Sequence, residues 1–295
     1  MIAFGSVIVD ADAYRRFAEP GIRRASEPDS EVLVFGAAGS VCRSYNLLLD
    51  AAAAHDDLDA LVIVEARAEI SDPEFCAKAR EALRDPGVAL AGPIGARDLR
   101  TVAWWEGEVS GAALVHRYYE HGGGELNGYG WAQPTAPLGE VDALDGFLLV
   151  LSPWAVRNLR FDEDLHVGLG YDVDLCLQAR AAGRRVVTAD LRVIHHRELE
   201  LVPENAIWVE GHIQFARKWE GRWPGREGEE IDWRRRARRA EAEREAARTL
   251  AYSSALQLDA QVRALERELA AMTESTSWRV TAPLRWINRV RRRVG

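Results

Sequence analysis

The sequence predicts an α/β fold, a mostly parallel sheet flanked by helices, with a helical extension at the C-terminal end. Three observations carry this. Apolar runs of strand length, rich in β-branched residues, recur at Val7–Val9, Glu31–Phe35, Leu61–Val64 and Phe147–Leu151. Segments with helical periodicity lie between them, and strand, helix, strand alternation is what parallel crossovers require. From Trp233 to Met272 the chain turns to Ala, Arg and Glu without a proline or glycine, the composition of one long helix.

The 295 residues are 47% hydrophobic, enough for a buried core. Three cysteines, Cys42, Cys76 and Cys176, form no CxxC pair, which argues against a disulfide framework or a zinc site and for reduced thiols in a cytoplasm. The apolar start MIAFGSVIV has no basic residues before it and meets Asp10 and Asp12 at once, so it reads as a first core strand and not as an export signal. No apolar run approaches the roughly 18 residues of a membrane span. The net charge of −8 is uneven, because Arg279, Arg285, Arg289, Arg291, Arg292 and Arg293 crowd the last segment with no acid among them. That points to an anionic surface as the tail's partner and away from nucleic-acid binding by the main domain.

Along the chain, the segment from Ala13 to Ser26 has helical content, with a break expected at Pro20-Gly21. Phe35 and Gly36 open a run of small residues after the second strand, where the backbone of an open α/β sheet can approach a nucleotide. Ser44-Tyr45-Asn46 leads into a helix from Leu47 to Ala54. Glu65-Ala66-Arg67 follows the third strand, and Ser71-Asp72-Pro73 caps a helix running to about Leu83. Trp104 and Trp105 precede a glycine-rich loop carrying Tyr129 and Trp131. Rings there suit either the apolar face of a sugar or plain packing.

The chain is organised around Val141–His196. Phe147–Leu151 is a strand, Asp172 and Asp174 open a helix that ends at Gly183, and Arg185–Thr188 and a second short strand ending at His195-His196 follow. A carboxylate in the first turn of a helix is held ionised and directed by unpaired N–H groups, which makes Asp172 a usable base; capping of the helix is the alternative.

Taken together, Asp145-Gly146, Phe161-Asp162-Glu163, Gly170-Tyr171-Asp172-Val173-Asp174-Leu175 and Val193-Ile194-His195 resemble the second half of a family-2-like glycosyltransferase of the GT-A fold, a Rossmann-like sheet. The resemblance spans roughly Phe4 to Pro224 and rests on the order of the motifs. It implies transfer of a sugar from a nucleoside diphosphate to a hydroxyl of a glycan or lipid-linked glycan, with inversion. Asp172 matches the base on the acceptor hydroxyl and His195 the histidine near the donor diphosphate. Phe35, Gly36, Asn46, Glu65, Arg67 and Asp145 fall on the donor side. Trp104, Trp105 and Tyr171 fall on the acceptor side, with Tyr171 where relatives more often carry Glu. The resemblance also implies a divalent cation, Mg or Mn, at Glu65 and His195. Arg67 departs from the pattern, standing where relatives carry a metal-binding Asp, and a guanidinium suits phosphate oxygens. It leaves the cation's requirement open.

Residues 1–225 are expected to form the catalytic domain, 226–274 a long helix and 275–295 a basic amphipathic tail. Ala251, Ala255, Leu258, Val262, Leu265, Leu269 and Met272 form a heptad seam. It fits a coiled coil in a homo-oligomer or folding back on the main domain. The tail Ser277-Trp278-Arg279-Val280-Thr281-Ala282-Pro283-Leu284-Arg285 resembles one found on bacterial surface-polysaccharide glycosyltransferases, and implies a peripheral position on the inner face of the cell membrane. The competing function is a degenerate GT-A protein that binds sugar nucleotides or acts as a scaffold subunit, which the altered Glu65-Ala66-Arg67 favours. A nucleotidyltransferase would need a glycine-rich, lysine-bearing signature near the first strand, and the sequence has none.

Overall fold

The computed structural model describes residues 1–37, 39–99, 102, 104, 107–111, 115–119, 125–126, 137–165, 169–196, 205–219, 221–224, 237–238, 241, 258–259 and 261–281. Trp105, the glycine-rich loop with Tyr129 and Trp131, the linker 225–230, most of the helix expected over 233–257 and the tail beyond Thr281 lie outside them. The chain divides into two compact units, Met1–Glu241 and Ala242–Gly295.

In the first unit the strands are β1 (Ile2–Ile8), β2 (Glu31–Gly36), β3 (Ala60–Val64), β4 (Ala68–Ile70), β5 (Val88–Gly92), β6 (Ile94–Arg97), β7 (Glu108–Gly111), β8 (Val115–Tyr119), β9 (Glu125–Leu126), β10 (Glu140–Val141), β11 (Ala143–Leu144), β12 (Leu148–Leu151), β13 (Arg185–Thr188) and β14 (Val193–His196). The central sheet runs β10-β13-β5-β12-β3-β1-β2. β1, β2, β3, β5 and β13 point one way, and β12 and β10 run against them. The mostly parallel sheet that the sequence predicts is therefore present. Strands covered on both faces should read as unbroken apolar runs, and β3, β5 and β12 are buried at every position. β2, at the edge, alternates and leaves Val32 and Val34 exposed.

The N-terminal helical segment corrects one expectation. Pro20-Gly21 does not break it: α1 (Ala11–Ala13), a π-helical turn (Tyr14–Ala18) and α2 (Glu19–Ala25) run on continuously. The Glu19 N–H reaches the carbonyl of Tyr14, five residues back, and the wider turn lets Pro20 enter at the start of α2, where its missing N–H costs little. The next helix, α3 (Val41–Ala53), starts earlier than expected because Ser40 caps it by accepting from the Arg43 N–H. α4 (Phe75–Ala82), α5 (Pro153–Asn158), α6 (Tyr171–Ala181) and α7 (Asn205–Trp219) complete the unit.

Two small sheets, β11-β6-β7 and β4-β14-β8-β9, accompany the main one. The second matters for chemistry: β14 pairs antiparallel with β4 and parallel with β8, and the His196 N–H donates to the Arg67 carbonyl. This lays the histidine pair alongside the turn that leaves β3.

Candidate active site

The carboxyl ends of β1, β2 and β3 and the amino end of the antiparallel β12 meet on one side of the sheet. Glu65 leaves β3 there, and its N–H donates to the carbonyl of Phe147, just before β12. His195 is buried, its ring stacked on Phe147 at 4.5 Å, with Nε2 3.2 Å from a carboxylate oxygen of Glu65. The turn Asp145-Gly146-Phe147 thus joins three predicted residues, Glu65, His195 and Asp145, in one place.

The same turn receives Asp172. Gly170 starts α6 from a left-handed backbone, φ +77°, which glycine adopts without strain and which sends the first turn towards the Asp145-Gly146 loop. The Gly146 N–H donates to Oδ2 of Asp172 at 2.9 Å and the Val173 N–H to Oδ1 at 2.8 Å. A side chain at position 146 would stand 2.9 Å from both the Asp172 Cβ and the Tyr171 hydroxyl, so only glycine fits. The expectation that the helix terminus holds Asp172 ionised needs correction. Burial, and then the neighbouring charge of Asp145, push its pKa from the ordinary 3.8 up to about 7, and the two N–H bonds only partly offset them. A carboxylate of that basicity is suited to accepting a proton near neutral pH.

Glu65 and His195 can also be tested against a cation. Two ligands on one divalent ion with bonds of about 2.1 Å stand about 3 Å apart, so the observed separation fits two neighbouring positions. Among the described residues no group of three or more His, Cys, Asp or Glu is placed to hold a metal. The pair therefore fits an ion completed by phosphate oxygens and water, not one held by protein alone.

No protein-family model matches the chain. Over 201 residues it is 30% identical to the streptomycin biosynthesis protein StrF of Streptomyces griseus, a match covering 67% of each protein. The chain belongs to the StrF family. Similar solved structures include a mannosyltransferase from Pyrobaculum calidifontis in complex with GDP-Man and Mn2+, at 16% identity and TM-score 0.44, covering 95% of this chain and 82% of that one. Another is GalNAc-T7 with UDP, GalNAc and Mn2+, at 11% identity and TM-score 0.48, covering 82% of this chain and 54% of that one.

In this StrF-family chain the remaining predicted residues are placed less uniformly. Arg67 points at the end of β1, where its Nη2 donates to Asp10 at 3.2 Å. Asp10 also caps α1, a double role that sequence reading missed; its signal was an acid directly after the first strand. Asn46 lies in the second turn of α3, not at a helix start, and clasps the Phe161 backbone from both sides while its amide also reaches Glu163. It fixes the Phe161-Asp162-Glu163 loop. Phe35 is half-buried and Gly36 exposed, where β2 ends. Trp104 is 5% exposed and belongs to the core, because its ring supplies apolar volume there.

Tyr171 packs with Tyr45 and Phe161, ring centroids 5.5 and 6.0 Å away. Burial first, then the Tyr45 hydroxyl, hold its phenol well above the usual range, so it stays protonated. Asp174, two residues after Asp172, is wholly buried and accepts from Gln178 at 2.7 Å and from the Trp219 indole at 2.7 Å. Lys218 approaches it at 2.7 Å and also reaches Asp162. Asp174 therefore ties α6 to the end of α7. The two acids of the Asp-Val-Asp run divide the work: the first faces the site, the second anchors the helix that carries it.

Proposed function

We propose that this chain is a glycosyltransferase of the GT-A type, moving a sugar from a nucleoside diphosphate to a hydroxyl of a glycan or lipid-linked glycan, with Asp172 as general base. The observation that carries the reading is the convergence of Asp172, Asp145, Glu65 and His195 on the Asp145-Gly146-Phe147 turn, with the Asp172 carboxyl poised near neutrality.

In this reading Asp172 takes the proton of the acceptor hydroxyl as that oxygen forms its bond to the anomeric carbon. The anomeric C–O bond to the diphosphate breaks, and the diphosphate leaves with the bonding electrons, which inverts the anomeric centre. Glu65 and His195 would hold a divalent ion, which when bound supplies positive charge to the leaving diphosphate. Arg67 supplies charge of the same sign from the side of β1, its pairing with Asp10 exchanged in part for phosphate oxygens. Oriented donors at the leaving group act where charge develops, the effect that contributes most to such a step.

A second reading, a sugar-nucleotide-binding or scaffold subunit without turnover, draws on one observation: the position expected to carry a metal-binding acid holds Arg67, already paired with Asp10. One experiment separates the two. Nucleoside-diphosphate sugars are tested for a shift in melting temperature and then for nucleotide release with lipid-linked glycans and small-molecule hydroxyl acceptors. The second acceptor class is included because the relative is named for streptomycin biosynthesis. Donor binding with acceptor-dependent release supports transfer, and binding with no release on any acceptor supports the subunit reading. No binding of any nucleoside-diphosphate sugar overturns transfer and the sugar-nucleotide-binding subunit alike and leaves only the scaffold.

A further inference from the structure

Residues 258–259 and 261–274 of the second unit are helical, and the heptad seam along them is open to solvent. Leu258, Val262, Leu265, Leu269 and Met272 are 61%, 51%, 64%, 58% and 55% exposed, although they follow one another at alternating four and three spacing and so share one face. A continuous stripe of large apolar side chains is unfavourable in water unless another surface covers it.

The residue types along the stripe say what covers it. Val262 and Leu269 occupy the a positions and Leu258, Leu265 and Met272 the d positions. Val262 at a followed by Leu265 at d is the combination, a β-branched side chain and a leucine, that packs in parallel two-stranded coiled coils, and Leu269 and Met272 continue the seam with unbranched-β apolar side chains. Charge gives an independent argument for orientation. The flanking e positions are Asp259, Glu266 and Thr273, and the g positions are Gln261 and Glu268. In a parallel pair each g residue faces the following e residue of the other chain, giving Gln261 with Glu266 and Glu268 with Thr273. Every contact then sets one acid against a neutral polar group. An antiparallel pair sets e against e, and the register that aligns residues 258–274 end to end puts Glu266 opposite Glu266 of the other chain. Asp259 is also held by Arg263 of its own helix at 2.6 Å, an exposed pair that leaves Glu266 the dominant charge on that flank.

We infer that residues 258–274 form a parallel two-stranded coiled coil with a second copy of this chain. The inference concerns assembly and stands apart from the transfer reaction.

The test uses the full chain. Light scattering after gel filtration is expected to give twice the chain mass, and the double substitution Leu265→Glu with Leu269→Glu to halve it while the melting temperature of the first unit stays unchanged. Orientation is read by Val262→Cys. At an a position of a parallel pair the two introduced thiols face each other, so mild oxidation should join more than half of the chains. Arg267→Cys, on the outer face, should join few. The native cysteines Cys42, Cys76 and Cys176 are buried and do not compete. A monomeric full chain would overturn the inference, leaving folding back on the main domain, another protein or a lipid surface to cover the stripe. A dimer that survives the double substitution, or one in which Val262→Cys joins no more than Arg267→Cys, overturns it as well.

Discussion

Replacing Asp172 with Asn should remove activity and, at neutral pH and above, make the protein more stable. Both effects come from the same cause. A carboxyl moved from 3.8 to about 7 by folding disfavours its ionised form in the native state, and the full shift corresponds to about 4 kcal/mol. Partial exposure screens this, and Asn can satisfy only one of the Gly146 and Val173 N–H groups through its single carbonyl oxygen, so a net gain of about 1–2 kcal/mol at pH 8 is expected. The sign follows from linkage. Between pH 4 and 7 the folded protein holds a proton on Asp172 that the unfolded chain has lost, so wild-type stability falls as pH rises through that window, and the Asn variant lacks this term. Urea melts of both proteins at half-unit steps from pH 4.5 to 8.5 check it: the variant's advantage should grow up to about pH 7 and then level. Turnover should fall about a hundredfold or more, with donor-induced thermal shifts retained. In the wild type, the ascending limb of kcat/KM should have its midpoint near pH 7. An advantage that does not change with pH, or a variant with unchanged turnover, refutes the reasoning.

Gly146→Ala places a methyl group 2.9 Å from the Asp172 Cβ and the Tyr171 hydroxyl; it should cost about 1–3 kcal/mol in denaturant melts and lower kcat at least tenfold. Asp174→Asn breaks the contact with Lys218 and should cost about 3 kcal/mol, with kcat per folded molecule far less affected than by Asp172→Asn. Arg67→Ala should raise KM for the donor, and activity should persist in chelator at a reduced rate, measured by nucleotide release; loss of all activity in chelator with recovery on added manganese counts against a phosphate role for Arg67. Trp278 and Val280 are 37% and 73% exposed at the root of the basic tail, so the full chain should pellet with anionic liposomes and a chain ending at Met272 should not. Equal pelleting of the two, or none, removes the membrane role.

Much of this fold was legible because its signals are local. Apolar, β-branched runs stand out as strands, and the order of β1, β2, β3, β12, α6, β13 and β14 follows from such runs and from the caps between them. The site was legible to a different degree. Asp145, Gly146, Asp172 and His195 come together because a helix start and a strand end each fix one side chain in space. A carboxylate's basicity is set by what surrounds it, however, and no spacing in the sequence reveals that burial, and then the charge of Asp145, raise the pKa of Asp172. The same limit explains Asp10, whose partner Arg67 is distant in sequence, and Asn46, which binds the backbone of Phe161 across two elements. Trp104 shows the opposite case: a tryptophan beside a glycine-rich loop has the pattern of a sugar platform, and tertiary packing used it as core. The Asp-Val-Asp run follows from helix geometry once the helix is in position. Residues two apart diverge by about 200° around the axis, so when Asp172 meets the Gly146 turn, Asp174 must turn towards the body of the protein. There a buried carboxylate requires several donors, and Gln178, Lys218 and Trp219 supply them. A catalytic acid and a structural acid can thus share one helical turn because they face opposite sides of it.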